Sequence, residues 1–379
     1  MFWAPLFLIL YTYMLYPLIL LVVRRFKTAR STTPEFHELP GVSVVVAVYN
    51  EEKTLDEKMK NLFMTDYPRE KIEFLFGSDG SDDRTNTILL EQKDMALKVD
   101  IFHQRRGKAA VLNELIPRAR GEIVVLSDAN TFYLPSTIRL LVQHFSDSTV
   151  GAVCGELILE SDFHTVGGVG EGYYWRYENR MKQMESDLQT TVGATGAVYA
   201  IRQRLFRPLP EHKPVMDDFI IPLSIVRQGY AVRYEPNARA HERPSNSVIG
   251  EFRRKVRIGA ANFYGLPEFV SLLHPCYGFA ALALWSRKIL RWCVPFFMIV
   301  MITASVVLAG ESRFFYAIAS LEAAFFASAF LGFVLEKVRL RISIFGLPYY
   351  FVAMNVALFV GFIKFAIGRQ PATWDVIRS

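Results

Sequence analysis

The chain has 379 residues, a net charge of +6 and 51% hydrophobic residues, with a mean hydropathy of +0.20. That is too apolar for a wholly soluble protein, and long enough for one large domain with membrane segments. Three cysteines without paired spacing exclude a disulfide framework and a cysteine metal motif, and no basic stripe interleaved with aromatics points to nucleic acid.

Residues 1–23 carry no charged side chain and are about long enough to span a bilayer. They lack a basic leader and a small-residue cleavage site, so they read as a retained anchor. Arg24, Arg25 and Lys27 follow at once. The positive-inside tendency then puts the N-terminus outside and the large domain in the cytosol. Residues 24–40, with Pro34, read as a basic and polar linker.

From 41 to 258 strand-like and helix-like segments alternate. The β-branched run Val42–Val48 reads as a buried parallel strand. Strands are also predicted at 72–77, 122–126, 150–159, 198–201 and 231–234, and helices at 58–63 and 108–119. This alternation predicts an α/β fold, a mostly parallel sheet covered by helices, with ligands bound beyond the carboxyl ends of the strands. Residues 259–292 read as an interfacial amphipathic segment in which aromatics alternate with bases around Trp285, Arg287, Lys288, Arg291 and Trp292.

Three further apolar runs, 293–310, 314–335 and 342–367, precede a tail at 368–379. Glu322 lies inside the second run and reads as a helix-packing or lumen-facing group. One span before the domain and three after it put the C-terminus outside, whereas Arg369 and Arg378 favour the inside. Either one C-terminal run stops short of crossing, or the stretch at 272–285 also enters the membrane.

Three acidic stations follow apolar strand-like runs or loops: Asp79 in Ser78-Asp79-Gly80-Ser81, Asp128 in Ser127-Asp128-Ala129-Asn130, and the pair Asp217-Asp218. Converging carboxylates can read a nucleotide, hold a metal and take a proton. With them, in chain order, stand Tyr49-Asn50-Glu51-Glu52, Gly107-Lys108, the turn from Gly193 to Ala197, and Arg254-Lys255-Val256-Arg257. Together these motifs resemble the membrane-bound family 2 glycosyltransferases, which include cellulose, hyaluronan and poly-N-acetylglucosamine synthases and ceramide glucosyltransferases. The resemblance covers the domain and, in layout, the flanking spans. It implies the Rossmann-like GT-A fold with flanking transmembrane helices.

What the resemblance implies can be taken residue by residue. Tyr49 and Glu51 match the motif along the uridine, although Ala47 stands where many members have proline. Asp79 matches the carboxylate that binds uracil, and Lys108 the lysine near the nucleotide. Asp128 and Asn130 match the metal-binding Asp-x-Asp, with an amide in second place, so Mg²⁺ or Mn²⁺ is the implied cofactor. Oxygen ligands suit these ions, and the donor diphosphate supplies several. Asp218 matches the catalytic base, with Asp217 as its charge-tuning neighbour. Arg254 and Arg257 match the first and fourth places of a Gln-x-x-Arg-Trp motif, with Arg257 facing the pyrophosphate. Ile258 replaces the tryptophan that stacks on the acceptor, which leaves acceptor type and processivity open.

The expectation is an inverting, metal-dependent hexosyltransferase in the cell membrane, multi-pass, with its catalytic domain cytosolic. It would move sugar from a UDP-sugar to a growing polysaccharide, alone, as an oligomer or with a partner subunit, among membrane lipid. The alternatives are a glycolipid synthase adding one sugar to a lipid-linked acceptor, and a non-catalytic nucleotide-binding subunit. His241 and Glu242 offer an extra metal ligand and acid, and His241 is otherwise read as structural.

Overall fold

The computed structural model describes residues 1–27, 36, 38–159, 166–242, 248–338, 340 and 342–371. The linker around Pro34 and the basic residues Arg339, Arg341 and Arg378 lie outside the described residues.

In chain order, helix α1 (Trp3–Phe26) precedes β1 (Val42–Val48), α2 (Leu55–Phe63), β2 (Ile72–Asp79), α3 (Thr85–Glu91), β3 (Leu97–Phe102) and α4 (Lys108–Arg118). Then come β4 (Ile123–Asp128), β5 (Thr131–Tyr133), α5 (Thr137–Gln143), β6 (Val150–Leu159), α6 (Val166–Leu188), β7 (Val198–Arg202), α7 (Asp217–Arg227), β8 (Ala231–Glu242) and α8 (Val248–Phe269). Three long helices close the described chain: α9 (Phe279–Ala309), α10 (Arg313–Lys337) and α11 (Ser343–Ala366).

The eight strands form one sheet in the order β3-β2-β1-β4-β7-β6-β8-β5. Strands β3, β2, β1 and β4 are parallel, as is the β6–β8 pair, while β7 and β5 run antiparallel to their neighbours. The expected mostly parallel sheet is thus present, with antiparallel insertions that apolar runs alone did not distinguish.

Residue alternation divides the core into two layers. Val45, Ala47, Leu75, Val124 and Leu126 face one cluster, with Leu112 and Leu115 of α4, Met181 and Met184 of α6, and Tyr16 and Leu20 of α1. Val44, Val46, Phe74, Phe76 and Val125 face the other, with Leu55 and Met59 of α2 and Leu141 of α5. All seven residues of β1 are buried because both faces are covered. Each such valine contributes about 1.5–3 kcal/mol of burial free energy.

Four helices are long and apolar enough to cross a membrane: α1, α9, α10 and α11. They correspond to the four predicted runs. The predicted boundary at 258/259 does not separate two elements, because α8 runs through it. The basic-aromatic stretch from Phe279 to Trp292 is the first part of α9, continuous with the apolar run after it. Glu322 accepts a hydrogen bond from Ser305 and so joins α10 to α9. α11 packs on α6 where Gly346 meets Gly170, and on α8 where Gly361 meets Ala260.

Candidate active site

The adjacent parallel strands β2, β1 and β4 end on one edge of the sheet, which gathers Asp79, Tyr49 and Asp128. Register places Ala47 beside Asp128 and Val48 beside Ser78. Three of the predicted residues are therefore neighbours by topology alone.

Asp79 is fully buried. Its two oxygens accept from the backbone N–H groups of Arg106 and Gly107, each at 2.8 Å. This contact fixes the 105–107 loop, and the Arg105 guanidinium lies 3.8 Å from the Tyr49 ring centroid. Gly107 has φ 99°, a left-handed entry into α4 that suits glycine. Gly77 lets α4 close onto β2, since a Cβ there would sit 2.5 Å from Val111 Cγ1. The close approach carries Lys108 over the strand ends. Glu51 is buried, accepts from Thr54 Oγ1 at 2.9 Å, and donates its N–H to Thr85 Oγ1 at 2.8 Å. Asn50, at φ 53°, is bonded both ways to Asp82 across the same loop edge.

Lys108 bridges two acidic stations. Its Nζ is 2.8 Å from Asp128 Oδ1 and 3.0 Å from Asp217 Oδ1. Burial opposes its charge, but the two carboxylates outweigh burial and raise its pKa above the ordinary lysine value. Asp217 is itself buried and accepts from Tyr199 Oη at 2.8 Å. Asp218, the next residue at the start of α7, turns to the glycine loop instead. Its Oδ2 accepts from Gly196 N–H at 2.9 Å, and its carbonyl accepts from Ala194 N–H at 2.7 Å. Burial first, then the neighbouring Asp217, pushes the Asp218 carboxyl up to about 6, against the pull of Lys108. The adjacent acids thus differ in setting: Asp217 is anchored by Tyr199 and Lys108, and Asp218 by backbone N–H groups of the glycine loop.

Asp128 and Asn130 flank the β4–β5 turn. Thr131 Oγ1 closes that turn on the Asp128 carbonyl at 2.9 Å, and Asn130 Nδ2 donates to Glu242 Oε1 at 2.7 Å. Among the described residues no three His, Cys, Asp or Glu side chains gather as a complete metal cage. The donor set still fits a hard cation that arrives with phosphates. Asp128 already holds one cation, the Lys108 ammonium, and the Asn130 amide adds an oxygen of the kind Mg²⁺ and Mn²⁺ prefer.

Several residues here escaped the sequence reading. Lys58 of α2 is fully buried beneath the turn and donates to Ser127 Oγ at 2.7 Å and the Thr131 carbonyl at 2.5 Å. Burial lowers its pKa to about 7, while Asp128 pulls the other way. Tyr199 and Arg105 likewise gain their roles only through tertiary contact, whereas Glu242, singled out as a candidate acid, is found accepting from Asn130. Arg254 and Lys255 lie 4.0 and 3.7 Å from Glu171 of α6, a partner outside the predicted set. Arg257 is half-buried on the same helix.

The glycosyl transferase family 2 model matches residues 43–209. Residues 43–209 are thus similar to a family 2 glycosyltransferase domain. A poly-β-1,6-N-acetyl-D-glucosamine synthase from Staphylococcus aureus (strain COL) is 25% identical over 230 residues, covering 58% of this chain and 54% of that protein. A probable glycosyltransferase, YdaM, from Bacillus subtilis (strain 168) is 23% identical over 272 residues, covering 65% and 62%. The chain thus spans about half to three-fifths of the curated relatives it matches. The structure of the mannosyltransferase PcManGT from Pyrobaculum calidifontis, in complex with GDP-Man and Mn²⁺, superposes with a TM-score of 0.74 at 22% identity. That match covers 97% of this chain and 99% of the other. The domain has the GT-A glycosyltransferase fold, with four candidate membrane helices flanking it.

Proposed function

We propose that this chain is a family 2 glycosyltransferase that moves a hexose from a UDP-sugar, with inversion, to a growing polysaccharide held at the cytosolic membrane face. The observation that carries this reading is the division of labour between Asp217 and Asp218. One is anchored by Tyr199 and Lys108. The other is held by backbone N–H with its pKa pushed up to about 6.

The chemistry follows from those positions. Tyr49 with Arg105 offers a stacked surface at the ends of the central strands, and Asp79 holds the adjoining loop. Lys108 supplies positive charge for the donor diphosphate, as would Arg257 of α8, with Arg254 on the same helix as a further diphosphate contact. A divalent ion held at Asp128 and Asn130 would supply Lewis acidity that neutralises the departing diphosphate. Asp218 takes the proton of the acceptor hydroxyl as that oxygen bonds to the anomeric carbon. The bond from that carbon to the diphosphate oxygen breaks, and the nucleoside diphosphate leaves. A single displacement from the opposite face inverts the centre and needs no enzyme nucleophile.

Arg24 and Arg25 at the end of α1 support a cytosolic domain and a multi-pass chain. The glycolipid alternative keeps its own support in Ile258, where a stacking tryptophan is missing. Purified protein in nanodiscs, given a panel of UDP- and GDP-sugars with Mn²⁺, tests the reading. A product ladder from one donor supports polymer synthesis, and a single sugar on lipid supports the glycolipid route. Nucleotide binding with no turnover of any donor would refute an enzymatic role.

A further inference from the structure

The first turns of α9 do more than enter the membrane. Over Trp285–Ile289 the helix widens into a π-turn, a distortion common at functional positions. A second π-turn in α1, Tyr11–Leu15, lies against it, with Tyr11 Oη 2.8 Å from Ser286 Oγ. From this turn Arg287 reaches into the catalytic domain. Its Nη1 is 3.1 Å from Glu185, and its Nη2 donates to the Val192 carbonyl at 2.6 Å, next to the glycine loop that holds Asp218. Arg291 is closed by Glu178.

Lys288 is different. Among the described residues it has no carboxylate within ion-pair distance. Its Nζ stands 5.4 Å from the ring centroid of Phe219, the residue after Asp218, and its charge acts on the Asp218 carboxyl. Lys182 of α6 is a second such cation. It is buried, it too lacks an ion pair among the described residues, and it donates to Thr195 Oγ1 at 2.5 Å inside the glycine loop. The two ammonium groups repel each other. Glu178 and Asp218 act on Lys288 only from beyond ion-pair distance. Cations kept partly out of water without a closely paired anion are unfavourable, and an arriving anion relieves them.

The depth of Lys288 selects the anion. Trp285, three residues earlier, is 43% exposed and donates to the Leu273 carbonyl, as an interfacial tryptophan would. The apolar run begins at Cys293. Lys288 therefore sits at headgroup level and beside the proposed base at once.

We propose that Lys288, backed by the positive field of Lys182, seats the phosphate of a lipid-anchored acceptor whose hydroxyl faces Asp218. The acceptor class is a phosphodiester-linked polyol or sugar lipid. The phosphate is the anchor and keeps its bonds. The acceptor hydroxyl bonds to the anomeric carbon, its proton goes to Asp218, and the nucleoside diphosphate departs. The inference rests on the glycosyltransferase reading and fits a lipid that takes one sugar or carries a growing chain.

The test uses the full chain in phosphatidylcholine nanodiscs and reads retention of two probes, phosphatidylinositol and the neutral glucosyldiacylglycerol. Wild type should retain phosphatidylinositol about tenfold better, the effect of one charge-assisted contact. Lys288→Gln should lose that preference and Lys288→Arg should keep most of it, while both still bind UDP or GDP with Mn²⁺. Equal retention of the two lipids, or an unchanged preference in Lys288→Gln, overturns the proposal. Loss of nucleotide binding in Lys288→Gln would assign the cation to the donor diphosphate instead. Equal competition by free inositol 1-phosphate would assign it to soluble phosphate esters. Asp218→Asn separates the two ideas: transfer surviving in that variant sinks the glycosyltransferase mechanism, whereas its lipid preference tests the seat alone.

Discussion

Replacing Asp218 by Asn should stop transfer and make the protein more stable in alkaline buffer. The carboxyl is pushed up to about 6 from an ordinary 3.8, by burial and by Asp217. The folded chain therefore holds this proton more tightly than the unfolded chain does. Stability from this group is full below about 4 and falls as pH rises through about 6. The gap corresponds to at most about 3 kcal/mol at pH 8, which a neutral amide avoids. Asn can still accept from Gly196 N–H, so the loop need not move. Transfer should drop by about two to four orders of magnitude, the usual worth of a positioned base. Melting of wild type and variant in nanodiscs at pH 8 and pH 5, with nucleotide binding alongside, checks both halves. The variant should melt higher at pH 8, with a smaller gap at pH 5 and unchanged nucleotide binding. A variant that melts lower at pH 8, or that no longer binds nucleotide, would refute the reasoning.

Four further outcomes follow from the same site. Wild-type transfer should rise with pH to a plateau above about 6, the ionisation of Asp218. In Lys108→Met, which removes a charge stabilising the ionised base, the midpoint of that profile should move upward and nucleotide affinity should fall about tenfold. Gly196→Ala should reduce turnover while sparing nucleotide binding, because the new Cβ would stand 3.2 Å from Asp218 Oδ2. Chelation should abolish donor turnover and added Mn²⁺ or Mg²⁺ should restore it; full activity in chelator would remove the metal from the mechanism.

Much of this was legible in the sequence, for physical reasons that differ by element. A β-branched run such as Val42–Val48 has one good home, a strand buried on both faces. Asp79 and Asp128 sit at strand ends, so their meeting follows from parallel order. β3 and β5 were not read, since β3 is only half-buried along its length and β5 has three residues. The Asp217–Lys108 and Asp217–Tyr199 contacts join residues 109 and 18 positions apart, and no local pattern announces them. Lys58 looked like one charge among several on α2, and only the fold buries it. The stretch before Cys293 read as interfacial because its bases suggested water. In the structure Arg287 and Arg291 spend those charges on Glu185 and Glu178.

The most direct measurement is the anomeric configuration and mass of the product formed from a panel of nucleotide sugars, by wild type and Asp218→Asn side by side. The account predicts a product of inverted configuration from wild type, and none from the variant although it binds the nucleotide. Retained configuration, or product formed by Asp218→Asn, would contradict it.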